Sequence, residues 1–348
     1  MKKNIFFYLA LLTSSFIIFF LFNTCNTTEP DELKPGRRDY TWTVDTLKVP
    51  EGRSIPYSMW GANENDVWAV GLSYLNAYCI WHFDGNSWSN YTPDKYINPT
   101  CIWGAAYNDI WIGSSDGAFW HYDGIKWNKF FETVIPNYQQ FIIQSMYGSS
   151  PSNIYAVGFA DSIGGNTYKA IVMHFNGSKW ELVNTPNIKN SFDQIFYNKN
   201  SGKFIISGWI FNQSDEFIYS FDGSNLNQIL SSNNGLYLSH IGDEIIVLVN
   251  STKIYNIKNN ATEILIDFSS TNIAGFAQGR NEKDIITSNY DGIGHYNGAD
   301  LITIYPKWNT ELNRIGTIIY ESDLFYIWED SYNTFVVHGK LSNQRRVE

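Results

Sequence analysis

Apolar residues along this chain fall into two regimes. From Ile5 to Phe22 they run almost unbroken. From Tyr40 onward they come in short alternating bursts, such as Val67-Trp68-Ala69-Val70 and Cys79-Ile80-Trp81-His82-Phe83, cut by Asp-Gly, Asn-Gly and similar turn pairs. Alternation over a few positions predicts strands, because successive side chains point to opposite faces of a sheet. Asp-Gly or Asn-Gly between two such runs predicts a tight hairpin, since these residues tolerate the positive φ of a two-residue turn.

The bursts repeat. Trp60-Gly61-Ala62, Asp66-Val67-Trp68-Ala69-Val70-Gly71, His82-Phe83-Asp84-Gly85 and Trp88 return as Trp103-Gly104-Ala105, Asp109-Ile110-Trp111-Ile112-Gly113, His121-Tyr122-Asp123-Gly124 and Trp127. They return again as Tyr147-Gly148-Ser149, Asn153-Ile154-Tyr155-Ala156-Val157-Gly158, His174-Phe175-Asn176-Gly177 and Trp180. A period of about 40 residues with four short strands per unit predicts an all-β fold, the β-propeller. The histidine marker recurs at His295 and, degenerate, at Ser220-Phe221-Asp222-Gly223 and Val337-His338-Gly339. The interval from Ser220 to His295 leaves room for one further unit, with Lys253-Ile254-Tyr255-Asn256 as a strand. That makes seven blades. The last unit lacks an apolar fourth strand, whereas Tyr40–Val49 has that character with no preceding three. The expected solution is one closed ring over 40–348 in which the first strand completes the last blade and covers its open edge. Gly71, Gly113, Gly158 and Gly208 close the second strands, where they are expected to relieve crowding or add twist.

The sentence resembles the bacterial propeller repeats of the DxWAVG…HxDGxxW type, akin to Kelch and two-component-regulator propellers. The resemblance covers nearly all of 40–340, is strongest in the first three units and fades after residue 200. It implies a fold more than an activity. The Ser-x-Asp-x-Gly-x-Thr-Trp box of sialidases and the complete GH…WD pattern of WD40 units are both missing.

Lys2 and Lys3 followed by the apolar run make residues 1–24 a secretory signal. Asn23-Thr24-Cys25 resembles the lipobox of bacterial lipoproteins, in which the cysteine thiol is acylated; Phe22 stands where Leu is usual, and Thr24 where a smaller residue is usual. A retained membrane anchor and simple secretion are the alternatives, and all three place the remaining chain outside the cytoplasm. The polar, Pro-containing segment 25–39 is expected to be a flexible tether. Glu29, Asp31 and Glu32 resemble the acidic export signals of surface lipoproteins, which points to the outer membrane or cell surface.

The formal charge of -10, and -12 once Lys2 and Lys3 are removed, argues against nucleic acid or anionic lipid as a partner. Cys79 and Cys101 occupy different strand positions in neighbouring units, so two buried thiols are expected rather than a disulfide. With no CxxC and no paired histidines, no zinc site is predicted.

Histidine is the usual first suspect for acid–base chemistry, but four of the six occupy one repeat slot: His82, His121, His174 and His295. Chemistry needs one asymmetric constellation, whereas a residue present in most blades serves the blade. Asp66, Asp109, Asp284 and Asp323 are expected to bond their own turns, and His240 and His338 to be single structural histidines. No nucleophile elbow, P-loop, dinucleotide glycine pattern or HExxH helix is present, so no catalytic residue, cofactor or metal is assigned.

The repeat varies between its second and third strands. The interval from Gly71 to His82 is longer than that from Gly113 to His121, and that from Gly158 to His174 is longer still. Candidates for ligand binding on that loop-rich face are Tyr74, Asn76, Tyr78, Asp161, Tyr168, Asp215 and Glu216, with Tyr96 and Tyr138 from inter-blade segments. Aromatic and polar groups on one rim suit an extended polypeptide or a sugar. The expected function is that of a monomeric, lipid-anchored envelope module binding a protein or glycan there. The alternatives are a carbohydrate-active enzyme using acids on the same face, or an envelope sensor or assembly scaffold.

Overall fold

The computed structural model describes residues 33–342 apart from 74–76, 92–94, 166, 186, 187, 189, 212, 259, 260, 270–272, 307–312, 321, 322 and 331; for 57, 273–275 and 313–320 it describes the backbone alone. Among these residues, 28 strands form seven four-stranded antiparallel units. Blade 1 consists of Ser54–Asn63, Asp66–Ser73, Ile80–Phe83 and Trp88–Asn90. Blades 2 to 6 occupy 99–132, 138–182, 190–232, 236–267 and 273–306, and one parallel pair, Ile241 with Gly279, joins the fifth to the sixth. In the fifth unit, the strand expected at Lys253-Ile254-Tyr255-Asn256 is Lys253–Lys258, the third of its blade.

Blade 7 takes three strands from the end of the chain, Asn313–Tyr320, Asp323–Glu329 and Thr334–Leu341, and its fourth from the beginning. Tyr40–Thr46 pairs with the third strand along its whole length, from Tyr40 opposite Leu341 to Thr46 opposite Phe335. Trp42 lies over Gly339, where a Cβ would come within 2.4 Å of the indole.

The alternation in each second strand has a direct cause. Val67 and Ala69 face the seam with blade 7, joining Phe325, Ile327 and Val336, while Trp68 and Val70 face the seam with blade 2, joining Ile102 and Ile112. Both faces of each blade are therefore buried against neighbours, and the seven apolar clusters among the described residues fall one to each seam. Burying a large apolar side chain contributes about 1.5–3 kcal/mol, so the hydrophobic stabilisation lies between blades. The cysteines follow the same geometry. Cys79 faces the seam of blades 1 and 2, Cys101 that of blades 2 and 3, and both are buried thiols. Burial pushes each thiol up to about 12.

The Trp-Gly element locks one blade to the next. A Cβ on Gly104 would stand 2.6 Å from the Trp60 ring, and one on Gly148 2.5 Å from the Trp103 ring. The second-strand glycines serve a different contact. First strands carry β-bulges between Pro56 and Ser58, Ile143 and Ser145, and Phe192 and Gln194. Their partners across the bulge include Gly71, Gly158 and Gly208; at Gly158 a Cβ would lie 1.8 Å from the Ile142 carbonyl oxygen. Crowding by the bulge is thus what excludes a side chain there. The residues after the bulges stitch the ring: Ser58 Oγ accepts from Ile102 N at 3.3 Å, Ser145 Oγ from Ile195 N at 3.2 Å, and Gln194 Oε1 from Leu238 N at 2.8 Å.

This topology creates two unlike faces. Second-to-third strand loops and inter-blade connections emerge on one, the loop face. First-to-second turns and the Asp-Gly hairpins emerge on the other, the turn face. In the hairpins Asp84 Oδ1 accepts from the amides of Asn86 and Ser87, with Gly85 at φ +89°. The chain enters the ring on the turn face of blade 6, where Gly36 N donates to Lys283 O at 2.7 Å and Arg38 pairs with Asp300 at 2.8 Å.

Candidate functional site

The repeated polar residues are engaged inside their own blades. His82 Nε2 meets Asp66 Oδ1 at 2.7 Å, His121 meets Asp109 at 2.8 Å, His295 meets Asp284 at 2.8 Å and His338 meets Asp323 at 2.7 Å; in blade 3, Asn153 replaces the acid opposite His174 at 2.8 Å. The same Asp66 and Asp109 oxygens accept from the indole N–H of Trp68 and Trp111, each at 3.1 Å. The imidazoles of His82 and His174 also stack on Trp68 and Tyr155 with centroids 4.1 and 4.3 Å apart. This corrects the expectation that these aspartates bond their own turns. Antiparallel pairing sets the start of the second strand beside the end of the third, which brings the histidine within hydrogen-bond distance of the aspartate. His338 is likewise a member of the repeat rather than a single residue. Each set is hydrogen-bonded across its own blade, as structural polar groups are.

A cavity of about 380 Å³ occupies the centre of the ring, lined by the first strands of blades 1 to 6. Its wall carries Trp60, Trp103, Tyr147 and Phe196 beside the neutral polar groups of Ser58, Gln194, His240 and Gln278. His240 Nε2 lies 2.8 Å from Gln278 Nε2, and burial holds the imidazole below the usual histidine range. Among the described residues, those lining the cavity carry no carboxylate, Lys or Arg. Among the described residues no group of three or more His, Cys, Asp or Glu is placed to hold a metal ion.

The loop face places the sequence candidates unevenly. Tyr74 and Asn76 lie outside the described residues. Tyr78 belongs to the wall of blade 1: its carbonyl accepts from Ser54 Oγ at 2.7 Å and Trp81 Nε1 at 3.2 Å, and its ring packs in the seam with blade 7. Tyr96 is exposed beside the buried Ile97. Tyr138, Asp161 and Tyr168 are brought together at the loop end of blade 3, where Tyr138 pairs with Ser162 and Asp161 with Tyr168. Glu216 starts the third strand of blade 4 and Asp215 precedes it; Asp215 is exposed, whereas a Glu216 carboxylate oxygen accepts the Leu236 amide of blade 5.

Four residues that the repeat pattern did not single out complete this region. Phe211, in the loop of blade 4, stacks on Tyr168 with centroids 3.5 Å apart and planes 9° apart. Phe159 lies 5.4 Å from Phe211, and Trp209 4.4 Å. Asp193, the bulge residue of blade 4, accepts from Ser207 Oγ at 2.9 Å, and burial together with the charge of Glu216 pushes its carboxyl up to about 6. Phe211 follows Trp209 at the end of an alternating strand, a pattern that could have drawn attention. Nothing local marks its partner across the seam.

No protein-family profile and no curated protein sequence matches the chain. Solved structures do resemble it. A catalytically inactive virginiamycin B lyase from Staphylococcus aureus, with quinupristin, is 13% identical with a TM-score of 0.59, over 85% of this chain and 99% of that one. YCF48 bound to D1 peptide is 12% identical with a TM-score of 0.58, over 89% and 100%. The extracellular domain of the putative hybrid two component system BT4673 from B. thetaiotaomicron is 12% identical with a TM-score of 0.54, over 85% of this chain and 39% of that chain. At these identities the likeness is one of fold, and the fold is the all-β propeller.

Proposed function

We propose that the chain is a cell-envelope propeller, lipid-anchored at Cys25, that binds a partner protein on its loop face at blades 3 and 4. The observation that carries this reading is the concentration there of groups the ring does not use: the half-exposed ring pair Tyr168–Phe211, the Asp161 carboxylate, and the apolar tips Val134 and Ile163, 82% and 69% exposed on adjacent loops. Ile163 N donates to Asn137 O at 3.1 Å, which ties these two loops into one surface. The repeat histidines and aspartates, in contrast, are spent on the blades.

A protein partner suits this surface better than a glycan. Sugars stack on open aromatic faces, and one face each of Tyr168 and Phe211 is covered by the other. The test is a photo-crosslinking residue placed at Ile163 or, as control, at Ile125, 81% exposed on a turn-face hairpin, in living cells. Specific adducts from position 163 alone are expected; none, or equal yield from both positions, refutes the reading. For the anchor, labelling with a palmitate analogue should disappear in Cys25→Ala.

One observation favours a second reading, a carbohydrate-active enzyme: Asp193 holds its proton to about pH 6 beside the carboxylate of Glu216. Sugar released from a glycan panel by the wild type and not by Asp193→Asn would establish it.

A further inference from the structure

The loop of blade 3 has a feature that apolar contact alone leaves unused. Asp161 ends the second strand beside Tyr168, and its Oδ1 is shut off from water with no hydrogen-bond donor. Its other oxygen looks toward Gly164 and Gly165, which take φ of 98° and 68°. Among the described residues, a Cβ on Gly165 would meet only Asp161 Oδ2, at 3.9 Å. The result is a carboxylate with one oxygen shut off from water and unpartnered. Such a group gains more than a fully hydrated one from an incoming cation, because it has already lost part of its hydration. Around it stand the rims of Tyr168 and Phe211 and the exposed Ile163, and the protein as a whole carries a charge of -10.

We propose that this site receives an Arg or Lys side chain from an extended segment of the partner protein, the cation on Asp161 and the flanking apolar residues on Ile163 and Val134. The inference rests on the reading that the loop face of blades 3 and 4 is the binding surface. The commitment to a cationic, apolar peptide comes from charge complementarity. Net negative charge speeds its approach, and the half-shielded carboxylate fixes its register. Aromatic rims beside a carboxylate also favour a guanidinium, which lies flat on ring edges and donates in plane.

The test uses the full chain in mild detergent and an N-acetylated peptide library with aliphatic and aromatic flanks around one fixed residue: Arg, Lys, citrulline or Glu. Citrulline keeps the shape of Arg without its charge. Wild type is expected to prefer Arg over citrulline by about tenfold, the scale of a charge-assisted hydrogen bond. Asp161→Asn should erase that preference while leaving residual binding, and Ile163→Glu should weaken all peptides. Equal binding of citrulline, or a preference that survives Asp161→Asn, overturns the proposal while the binding surface stands if Ile163→Glu still weakens binding. Peptide binding indifferent to Ile163→Glu, or no binding at all, overturns the reading of the surface as well. Both substitutions sit on or beside the exposed loop, and matched thermal melts exclude unfolding as the cause.

Discussion

The Asp193→Asn substitution tests the physical account most directly. The wild-type carboxyl is largely buried at the bulge of blade 4, and burial, reinforced by Glu216, raises it from 3.8 to about 6. A folded state that holds its proton more tightly than the unfolded chain is stabilised by acid. Below pH 3.8 both states are protonated and there is no penalty. Between 3.8 and about 6 the unfolded chain has released a proton that the folded chain retains, so stability falls as pH rises. Above about 6 the loss is complete. Each pH unit of displacement corresponds to about 1.4 kcal/mol, so the full penalty is about 3 kcal/mol. Asparagine cannot ionise, and its carbonyl oxygen can still accept from Ser207 Oγ, the bond that measures 2.9 Å in the wild type. The new amide hydrogens need acceptors, which removes part of the gain. The variant should therefore exceed the wild type by about 1–3 kcal/mol at pH 7.5 and match it near pH 3.5. Urea unfolding followed by tryptophan fluorescence across this range measures the difference. A gap independent of pH, or a variant less stable than wild type at pH 7.5, would refute the reasoning.

Three further outcomes follow from named contacts. Gly158→Ala drives a Cβ to 1.8 Å from the Ile142 carbonyl oxygen, and the backbone of the bulge must move; a loss of about 3 kcal/mol or more in urea unfolding is expected, and a neutral result would discredit the bulge geometry. Asp109→Ala strips the acceptor from both His121 and Trp111, which should cost about 2–3 kcal/mol, while binding of any loop-face partner stays unchanged once the variant is folded, as a calorimetric titration would show. Trp42→Ala removes the side chain that covers Gly339 and contacts Tyr305 at 4.8 Å, so the closing strand should loosen first; faster amide exchange at Tyr40–Thr46 than in blades 1 to 3 is the signature.

Whatever is local or periodic in this fold can be read from the order of residues. Strand alternation, the Asp-Gly hairpins, seven units and the use of Tyr40–Val49 to close the last blade, realised as Tyr40–Thr46, were all legible, because each depends on neighbours along the chain or on a count of repeats. The recurrence of His82, His121, His174 and His295 in one slot was equally visible without coordinates. The partner of each repeat aspartate was misjudged, because which end of one strand meets which end of another depends on register. Tertiary structure alone decided the rest. Tyr168 meets Phe211, Glu216 meets Leu236, and Cys79 and Cys101 turn to different seams, all across boundaries between blades. The candidate site lies at such a boundary. A repeat specifies the inside of each blade many times over, but a seam is made of two different blades, and its chemistry exists only once the ring has closed.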